Sequence, residues 1–231
     1  MSDTMDFGIN KRFGILSDLA KMVIMGATPS LVVTGEGGLG KTHSVKQAIK
    51  DCNLYEDEYV FFKGYSTARG LYNTLFDNNG KIIVFDDCDS VLEDKVALNI
   101  LKSALDSYDE REITWMAKMN KSDEYPSKFK FTGSIIFISN KKKESIDQAV
   151  LSRSLVVDLS MTPTDKIERM RSILSAVLPE YSMNVKLQAV DFLDEVKEKA
   201  PLNMRTLIMV TKMADSFPDR WKDMATYMVL G

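Results

Sequence analysis

The stretch LVVTGEGGLGKTHSVKQAIK, from Leu31 to Lys50, decides the fold of this chain. It begins with an apolar, β-branched run, continues through a glycine-rich segment and ends with helical periodicity. Residues 35–42 match the pattern G-x-x-x-x-G-K-[ST], which joins a strand to a helix in phosphate-binding loops. The sequence therefore predicts a strand, a phosphate loop and a helix in that order.

The predicted loop is suited to a polyphosphate. Glycines allow the backbone N–H groups to approach an anion closely, and the start of the following helix adds its positive dipole end. Lys41 is expected to reach the β- and γ-phosphates, and the hydroxyl of Thr42 to ligate Mg²⁺. The expected nucleotide contacts are Gly35, Glu36, Gly37, Gly38, Leu39, Gly40, Lys41, Thr42 and His43.

Composition limits the remaining classes of protein. The 231 residues allow one sizeable core, or one core with a small added domain, and a net charge of −3 excludes a wholly basic DNA-binding surface. No long apolar run and no secretory signal occur, so we expect a cytoplasmic protein without a membrane contact. Cys52 and Cys88 are predicted to be buried free thiols, and a single histidine cannot build a metal site.

A second candidate site, which carries two aspartates, is predicted at residues 81–87, KIIVFDD. Four consecutive apolar residues are typical of a strand buried on both faces, and ligands lie at the carboxyl ends of such strands. Asp86 suits a Mg²⁺ contact, direct or through water, and Asp87 suits the polarisation of an attacking water. The alternative is a turn with two solvated aspartates.

Two short strands, at residues 111–115 and 129–132, are predicted around a lysine-rich loop. Basic residues alternate there with the aromatic residues Trp115, Tyr125 and Phe129, a pattern that can follow a nucleic-acid backbone and stack on bases. The candidate nucleic-acid contacts are Lys118, Lys121, Lys128 and Lys130. A solvated hairpin whose aromatic side chains pack onto its own base is an equally good interpretation.

The rest of the chain predicts further strands at residues 59–63, 134–140 and 155–159, and from about residue 161 onward it predicts helices only. Helical periodicity predicts helices near residues 92–107, 145–152, 165–177, 187–199, 204–216 and 221–229. We therefore expect an α/β nucleotide-binding domain over residues 1–160 and a small helical lid over residues 161–231.

The order of these parts resembles that of AAA+ ATPases. A phosphate loop, a strand ending in Asp86-Asp87, a strand ending in Asn140, an arginine before the last strand and a helical lid follow one another from about residue 10. The resemblance implies a five-stranded parallel sheet with flanking helices, a β-hairpin inserted before the Asn140 strand, and a C-terminal helical lid. It also implies ATP and Mg²⁺ as cofactors and an oligomer, such as a hexameric ring or a filament.

The resemblance assigns roles to three further residues. Asn140 corresponds to the first sensor, between the γ-phosphate and the attacking water. The segment Ser152-Arg153-Ser154 is similar to the Ser-Arg-Cys motif of clamp loaders, which implies that Arg153 is an arginine finger in a neighbouring subunit's site. Arg205 corresponds to the second sensor of the lid. The expected catalytic residues are Lys41, Asp87, Asn140, Arg153 and Arg205.

One departure from the family pattern bears on the rate. The second acidic residue is usually Glu in AAA+ proteins, whereas this chain has Asp87, which favours slow or switched hydrolysis. The compact form resembles short bacteriophage AAA+ proteins. The leading hypothesis is therefore an ATPase that acts on DNA in loading, remodelling, replication or recombination, with a replication or recombination protein as a candidate partner.

Three other functions remain open on the sequence. An assembly scaffold or protein remodeller with slow hydrolysis and no DNA contact is the main alternative. A GTPase would explain Asn140-Lys141 but lacks the aspartate that reads guanine, since Lys143 stands at its position. A small-molecule kinase would have little use for a finger arginine.

Overall fold

The computed structural model describes residues 7–106, 110–115 and 125–231. Within these ranges the chain forms two sheets and a series of helices. The strands are β1 (Ser30–Thr34), β2 (Tyr59–Lys63), β3 (Ile82–Asp86), β4 (Glu112–Thr114), β5 (Lys128–Lys130), β6 (Ser134–Ile138) and β7 (Leu155–Asp158). The helices are α1 (Ile9–Ile24), α2 (Lys41–Asp51), α3 (Ala68–Asp77), α4 (Lys95–Ala104), α5 (Gln148–Leu151), α6 (Pro163–Ile173), α7 (Met183–Val196), α8 (Met204–Ser216) and α9 (Trp221–Leu230).

The main sheet has five parallel strands in the order β2-β3-β6-β1-β7. The strand before the phosphate loop, β1, therefore lies between β6 and β7. Because all five strands run in one direction, their carboxyl ends lie along one edge of the sheet. β4 and β5 form a separate antiparallel pair in the chain before β6. The predicted fold class, including the inserted hairpin, is confirmed.

The central strands are apolar because both of their faces are covered. Every residue of β1, β3 and β6 is buried. Three stacked rings connect β2, β3 and β6: the centroids of Phe62 and Phe85 lie 5.9 Å apart, and those of Phe85 and Phe137 lie 5.1 Å apart. This packing fixes the register of the strands that carry the acidic residues.

Contacts divide the chain into two compact units. The sheet unit contains Gly14–Gly35 and Lys41–Leu159. The helical unit contains Ser160–Gly231, Met1–Phe13 (described from residue 7) and the short segment Glu36–Gly40 of the phosphate loop. The separate folding of a lid from residue 161 onward stays a prediction.

The helical unit has a core of its own. Apolar side chains of α6, α7, α8 and α9 pack together, including the buried Met170, Leu193 and Leu207. Phe192 meets Trp221 edge to face, with ring centroids 5.6 Å apart. Met170 is fully buried, in agreement with the use of methionine as an adaptable core residue.

Capping residues place several helix starts away from the predicted positions. α4 begins at Lys95 rather than near residue 92, because Asp94 accepts hydrogen bonds from the N–H groups of Val96 and Ala97. α6 begins at Pro163, where Thr162 and Asp165 form a capping box. α7 begins at Met183, four residues before the predicted start, because Ser182 caps it.

The helix predicted over residues 145–152 is much shorter in the structure. A 3₁₀ turn covers Lys143–Ser145, and α5 starts only after Asp147, whose side chain accepts the N–H of Ala149. No helix in the described ranges combines the length and the hydropathy that a bilayer crossing needs.

Candidate nucleotide-binding site

The phosphate loop joins the buried end of β1 to the first turn of α2. The φ angles of Gly38 and Gly40 are 74° and 99°, values that only glycine adopts without strain. A Cβ atom on Gly38 would lie 3.3 Å from Cγ of Asn203, so this position also lacks space for a side chain. The loop conformation therefore depends on its glycines.

Lys41 points its ammonium group into the loop. The residue is 4% exposed, and its Nζ donates to the carbonyl oxygen of Gly35 at 2.5 Å and to Oδ1 of Asn140 at 2.9 Å. An ammonium held this way satisfies its donors on oxygens of the loop and of the neighbouring strand's end. The same donors suit phosphate oxygens.

Thr42 and Asp86 meet beside Lys41. The Thr42 hydroxyl donates to Oδ1 of Asp86 at 2.9 Å, and Asp86 is 1% exposed at the end of β3. The other oxygen, Oδ2, has no hydrogen-bond donor among the described residues. The ammonium of Lys63 lies 2.6 Å from Oδ2, as an ion pair outside hydrogen-bonding directions.

The side chains of Thr42 and Asp86 fit a magnesium ion. A hydroxyl and a buried carboxylate are the hard oxygen ligands that Mg²⁺ prefers, and Oδ2 of Asp86 has acceptor capacity that no hydrogen bond uses among the residues described. The glycine loop and the buried Lys41 fit a polyphosphate in the same way.

Asp87 and Asn140 form a second pair at this edge. The amide Nδ2 of Asn140 donates to Oδ1 of Asp87 at 2.5 Å, and the backbone N–H of Asp87 donates to the carbonyl of Ile138 at 3.0 Å. Asp87 has a φ of 58°, in the left-handed region that aspartate tolerates better than most side chains. Its exposed carboxylate is thus held in one orientation next to Asn140.

Arg153 lies at the opposite edge of the sheet. Its carbonyl accepts the hydroxyl of Ser30, the first residue of β1, whereas Nζ of Lys41 donates to the carbonyl of Gly35, the residue after the end of β1. A five-residue strand spans roughly 16 Å, so the guanidinium of Arg153 and the ammonium of Lys41 belong to opposite ends of β1. The half-buried guanidinium donates from Nη1 to the carbonyl of Ala149 at 3.0 Å.

Arg205 stands in the first turn of α8, within the helical unit. Asn203 caps this helix, with Oδ1 accepting the N–H groups of Arg205 and Thr206 at 2.8 and 3.2 Å. The N–H of Met204 donates to the carbonyl of Gly38 at 2.9 Å, so this turn touches the loop segment. The guanidinium of Arg205 is exposed.

The outer residues of the loop differ in their surroundings. Leu39 is 2% exposed, whereas Glu36 and Gly37 are exposed and His43 is exposed on α2. Oε2 of Glu36 lies 2.5 Å from Nζ of Lys166, a lysine of α6. Lys166 is itself buried, with 8% exposure.

The hairpin of β4 and β5 carries the remaining candidate lysines. Lys128 and Lys130 form ion pairs with Glu112 and Glu110 at 3.3 and 2.7 Å. The hydrogen bond from Lys130 lowers the pKa of the Glu110 carboxyl. Lys118 and Lys121 lie outside the described residues.

The aromatic side chains of this region pack against α3 rather than standing free. Phe129 meets Tyr72 and Phe76 edge to face, at centroid distances of 5.3 and 5.2 Å. Trp115 packs on Tyr72 at 5.6 Å, and Tyr125 packs on Phe76 at the same distance. This agrees with the structural interpretation of the aromatic pattern.

The two cysteines differ. Cys88 is buried beside the acidic strand end, and burial raises the pKa of its thiol from 9.0 to about 11. Cys52 is only half-buried, so the prediction that both thiols are buried is wrong for Cys52. Both are free thiols, as predicted.

Two residues of this region were missed by the sequence analysis. Lys63 pairs in register with Asp86 at the ends of neighbouring strands, and a polar residue ending an apolar strand was the available signal. Lys166 had no local signal, because its partner Glu36 is 130 residues away in the chain.

Solved structures with a similar fold include forms of the RuvB protein. The Thermotoga maritima RuvB Holliday junction branch migration motor matches with a TM-score of 0.56 over 95% of this chain and 68% of that chain, at 14% identity. A mutant of the same protein gives a TM-score of 0.57 over 95% and 69%, at 12% identity. The chain has an AAA+ fold. The resemblance stated from the sequence is confirmed at the level of the fold.

One relative in sequence comes from a bacteriophage. An uncharacterized 36.7 kDa protein from the nrdC–mobD intergenic region of Enterobacteria phage T4 is 32% identical over 174 residues, or 69% of this chain. The matched part makes up 53% of the phage protein, so the chain spans about half the length of this relative. No protein-family model matches the chain.

Proposed function

We propose that this AAA+ protein is a phage-encoded, Mg²⁺-dependent ATPase that works as a homo-oligomer and couples ATP hydrolysis to a DNA transaction. The observation that carries the proposal is the meeting of five side chains at the carboxyl edge of the parallel sheet. These are Lys41, Thr42, Asp86, Asp87 and Asn140. A cation, a hydroxyl, two carboxylates and an amide are the groups that phosphoryl transfer to water needs.

Lys41, Thr42 and Asp86 would bind the substrate. Lys41 would exchange its contacts with Gly35 and Asn140 for phosphate oxygens, while Thr42 and Asp86 would hold the metal. Magnesium, when bound, neutralises charge that develops on the phosphate oxygens. The loop residues from Gly35 to Gly40 and the start of α2 up to His43 would contact ATP.

Asp87 and Asn140 would act on the attacking water. A carboxylate near a water can orient it and take its proton, and the amide of Asn140 keeps the Asp87 carboxylate in one orientation. The left-handed backbone conformation at Asp87 also sets the direction in which this side chain leaves the main chain.

Arg153 and Arg205 would complete the charge neutralisation. Arg153 lies at the start of β1, whereas the ammonium of Lys41 in the same subunit lies beyond the end of β1. This separation supports a role of Arg153 in the site of a neighbouring subunit. Arg205 directly follows Met204, whose N–H donates to Gly38 of the phosphate loop, which supports a role for Arg205 as the second sensor of the lid. A planar guanidinium suits phosphate oxygens in both places.

Two observations support DNA as the client. One structural neighbour is described as a Holliday junction branch migration motor, and the hairpin carries Lys128 and Lys130 on its exposed faces. Lys118 and Lys121 extend this basic segment in the sequence. A replication or recombination protein is the expected partner, in the host cytoplasm.

A second candidate function is an ATP-dependent scaffold or protein remodeller with slow hydrolysis and no DNA contact. The shorter carboxylate of Asp87, already bonded to Asn140, favours it. In that case ATP bound to the assembled protein would survive for hours.

The test measures phosphate release from ATP against protein concentration, with and without Mg²⁺, single-stranded DNA and double-stranded DNA. The mass of the protein in ATP and in ADP is measured in parallel. We expect a rate per subunit that rises with concentration as the oligomer forms, and a further rise with DNA. Hydrolysis unaffected by DNA would leave the ATPase without a DNA role, and a monomeric mass in ATP would contradict the oligomer.

A further inference from the structure

We infer that Lys166 is the counter-ion of Glu36 and makes an acidic phosphate loop compatible with a polyphosphate ligand. This inference rests on the proposed function, because it concerns how the same loop binds ATP. It assigns a role in substrate binding to a residue of α6, outside the loop and outside the five side chains at the sheet edge.

Glu36 is electrostatically unfavourable in its position. It is the second residue of the loop and carries a negative charge, whereas the expected ligand carries several negative charges of its own. The carboxylate of Glu36 and the phosphates of a bound ligand would repel each other. Between groups exposed to solvent, this repulsion weakens as salt is added. A loop that binds polyphosphate therefore needs this charge compensated.

Lys166 supplies that compensation. Its Nζ lies 2.5 Å from Oε2 of Glu36, and its side chain is 9% exposed, against 60% for Glu36. A buried ammonium within hydrogen-bonding distance of a carboxylate is a strong and oriented partner. Lys166 belongs to the same compact unit as the loop segment Glu36–Gly40.

The start of α6 holds Lys166 in place. The capping box of Thr162 and Asp165 fixes the first turn of the helix, immediately before Lys166. Arg12 reinforces this turn, because its guanidinium donates to the carbonyl of Ser160 at 2.6 Å and lies 3.4 Å from Asp165. The ammonium is thus positioned before ligand binding, so little ordering is left to be done when a nucleotide arrives.

The variant Lys166→Met tests the inference by removing the charge while keeping an unbranched side chain. We expect the affinity for ATP to fall about tenfold, because the charge of Glu36 then acts on the phosphates. The affinity for adenosine, which has no phosphate, should change by less than about twofold. Equilibrium titrations with ATP, ADP, pyrophosphate and adenosine measure this difference.

The double variant Glu36→Gln with Lys166→Met separates electrostatics from structure. Removing both charges should return the affinity for ATP to within about threefold of that of the unmodified protein, since a charge effect cancels and a packing defect does not. The loss in Lys166→Met should also shrink as salt rises.

Lys197→Met is the matched control. Lys197 forms an ion pair of 2.6 Å with Asp194 in the same helical unit, and neither belongs to the phosphate loop. We expect unchanged affinities for all four ligands. Thermal melts of each variant verify that it is folded.

The outcomes separate the two proposals. ATP binding that is equal in the unmodified protein and in Lys166→Met would overturn the counter-ion role and leave the proposed function intact. Equal losses for ATP and adenosine, or no recovery in the double variant, would show a structural role instead and also overturn it. If the unmodified protein bound no ATP, both proposals would fall.

Discussion

The carboxylate of Asp86 illustrates how a single buried side chain organises the candidate nucleotide site. One oxygen accepts the hydroxyl of Thr42, and the other faces the ammonium of Lys63. A buried carboxylate needs such partners, since an unpaired charge at this depth is costly. A magnesium ion at the same oxygens would serve the same need, so Lys63 stands where it lowers the cost of a metal-free site.

The variant Lys63→Met should therefore be less stable than the unmodified protein, and mainly so when magnesium is absent. We expect a loss of about 1–2 kcal/mol in the free energy of unfolding, less than for a fully buried pair because Lys63 is largely exposed. Adding Mg²⁺ should recover most of this loss, because the ion binds only the folded state. Urea unfolding with and without Mg²⁺ measures both values.

Lys50→Met, on the exposed last turn of α2, is the control and should lose little under either condition. A loss for Lys63→Met that is the same with and without magnesium would contradict this account of Asp86.

The backbone of Asp87 leads to a second prediction at this scale. Its φ of 58° is strained for an ordinary side chain, so Asp87→Gly should be more stable than Asp87→Ala by about 1 kcal/mol. At Asp57, which is exposed and has no positive φ, the alanine variant should be at least as stable as the glycine variant. Urea unfolding of the four variants gives the comparison. If the glycine and alanine variants ranked in the same order of stability at both positions, the backbone of Asp87 would not be strained.

Among the elements, the strands show what the sequence could and could not predict. The apolar runs before Asp86 and Asn140 sufficed to place β3 and β6, because strands covered on both faces have an unmistakable composition. The hydrogen bond between Lys41 and Asn140 also follows from the pattern, because β1 and β6 are neighbouring parallel strands and the segments after them meet at one edge of the sheet. Lys166 could not be found this way, because only tertiary packing brings α6 to the loop segment.

The sequence predicted the boundaries of the helices less well than the positions of the strands. Apolar periodicity indicates which residues face a core, whereas the starts of α4 and α7 depend on the single capping side chains Asp94 and Ser182. The four-residue helix α5 is too short for any periodicity to show.

The hairpin of β4 and β5 combines an aromatic base with exposed lysines, Lys128 and Lys130, each of which forms an ion pair with a glutamate. Its aromatic side chains anchor it to α3, so they are unavailable for stacking on bases, while its lysines remain exposed. Any contact of this element with nucleic acid is therefore expected to be electrostatic and independent of base sequence.

Replacing Lys118, Lys121, Lys128 and Lys130 together by alanine should weaken the stimulation of ATP hydrolysis by DNA. The loss of up to four phosphate contacts should also flatten the dependence of that stimulation on salt. The control replaces the four exposed lysines Lys50, Lys95, Lys143 and Lys199, which changes the net charge equally. Equal effects of the two sets would rule out a specific role for the hairpin.

For the whole molecule, the separation of Arg153 from Lys41 along β1 supports the proposal that subunits cooperate. Arg153→Ala should lose most of its ATPase activity, about a thousandfold if it acts as a finger. Lys41→Met keeps Arg153 but has a defective site. A mixture of the two variants should therefore hydrolyse ATP faster than either alone, because one supplies the arginine and the other the site.

Phosphate release from mixtures at a constant total concentration measures this recovery. Activity equal to the average of the two separate variants would mean that Arg153 acts within its own subunit, or only through the half-buried contact with Ala149.

The measurement that tests the central claim most directly is the rate of phosphate release from ATP, in excess Mg²⁺, by Lys41→Met and by Lys50→Met. Both changes remove one positive charge from α2, but only Lys41 is buried against Gly35 and Asn140. We predict that Lys50→Met keeps the rate of the unmodified protein and that Lys41→Met loses at least about a hundredfold. Equal rates for the two variants would contradict a hydrolytic site at this edge of the sheet.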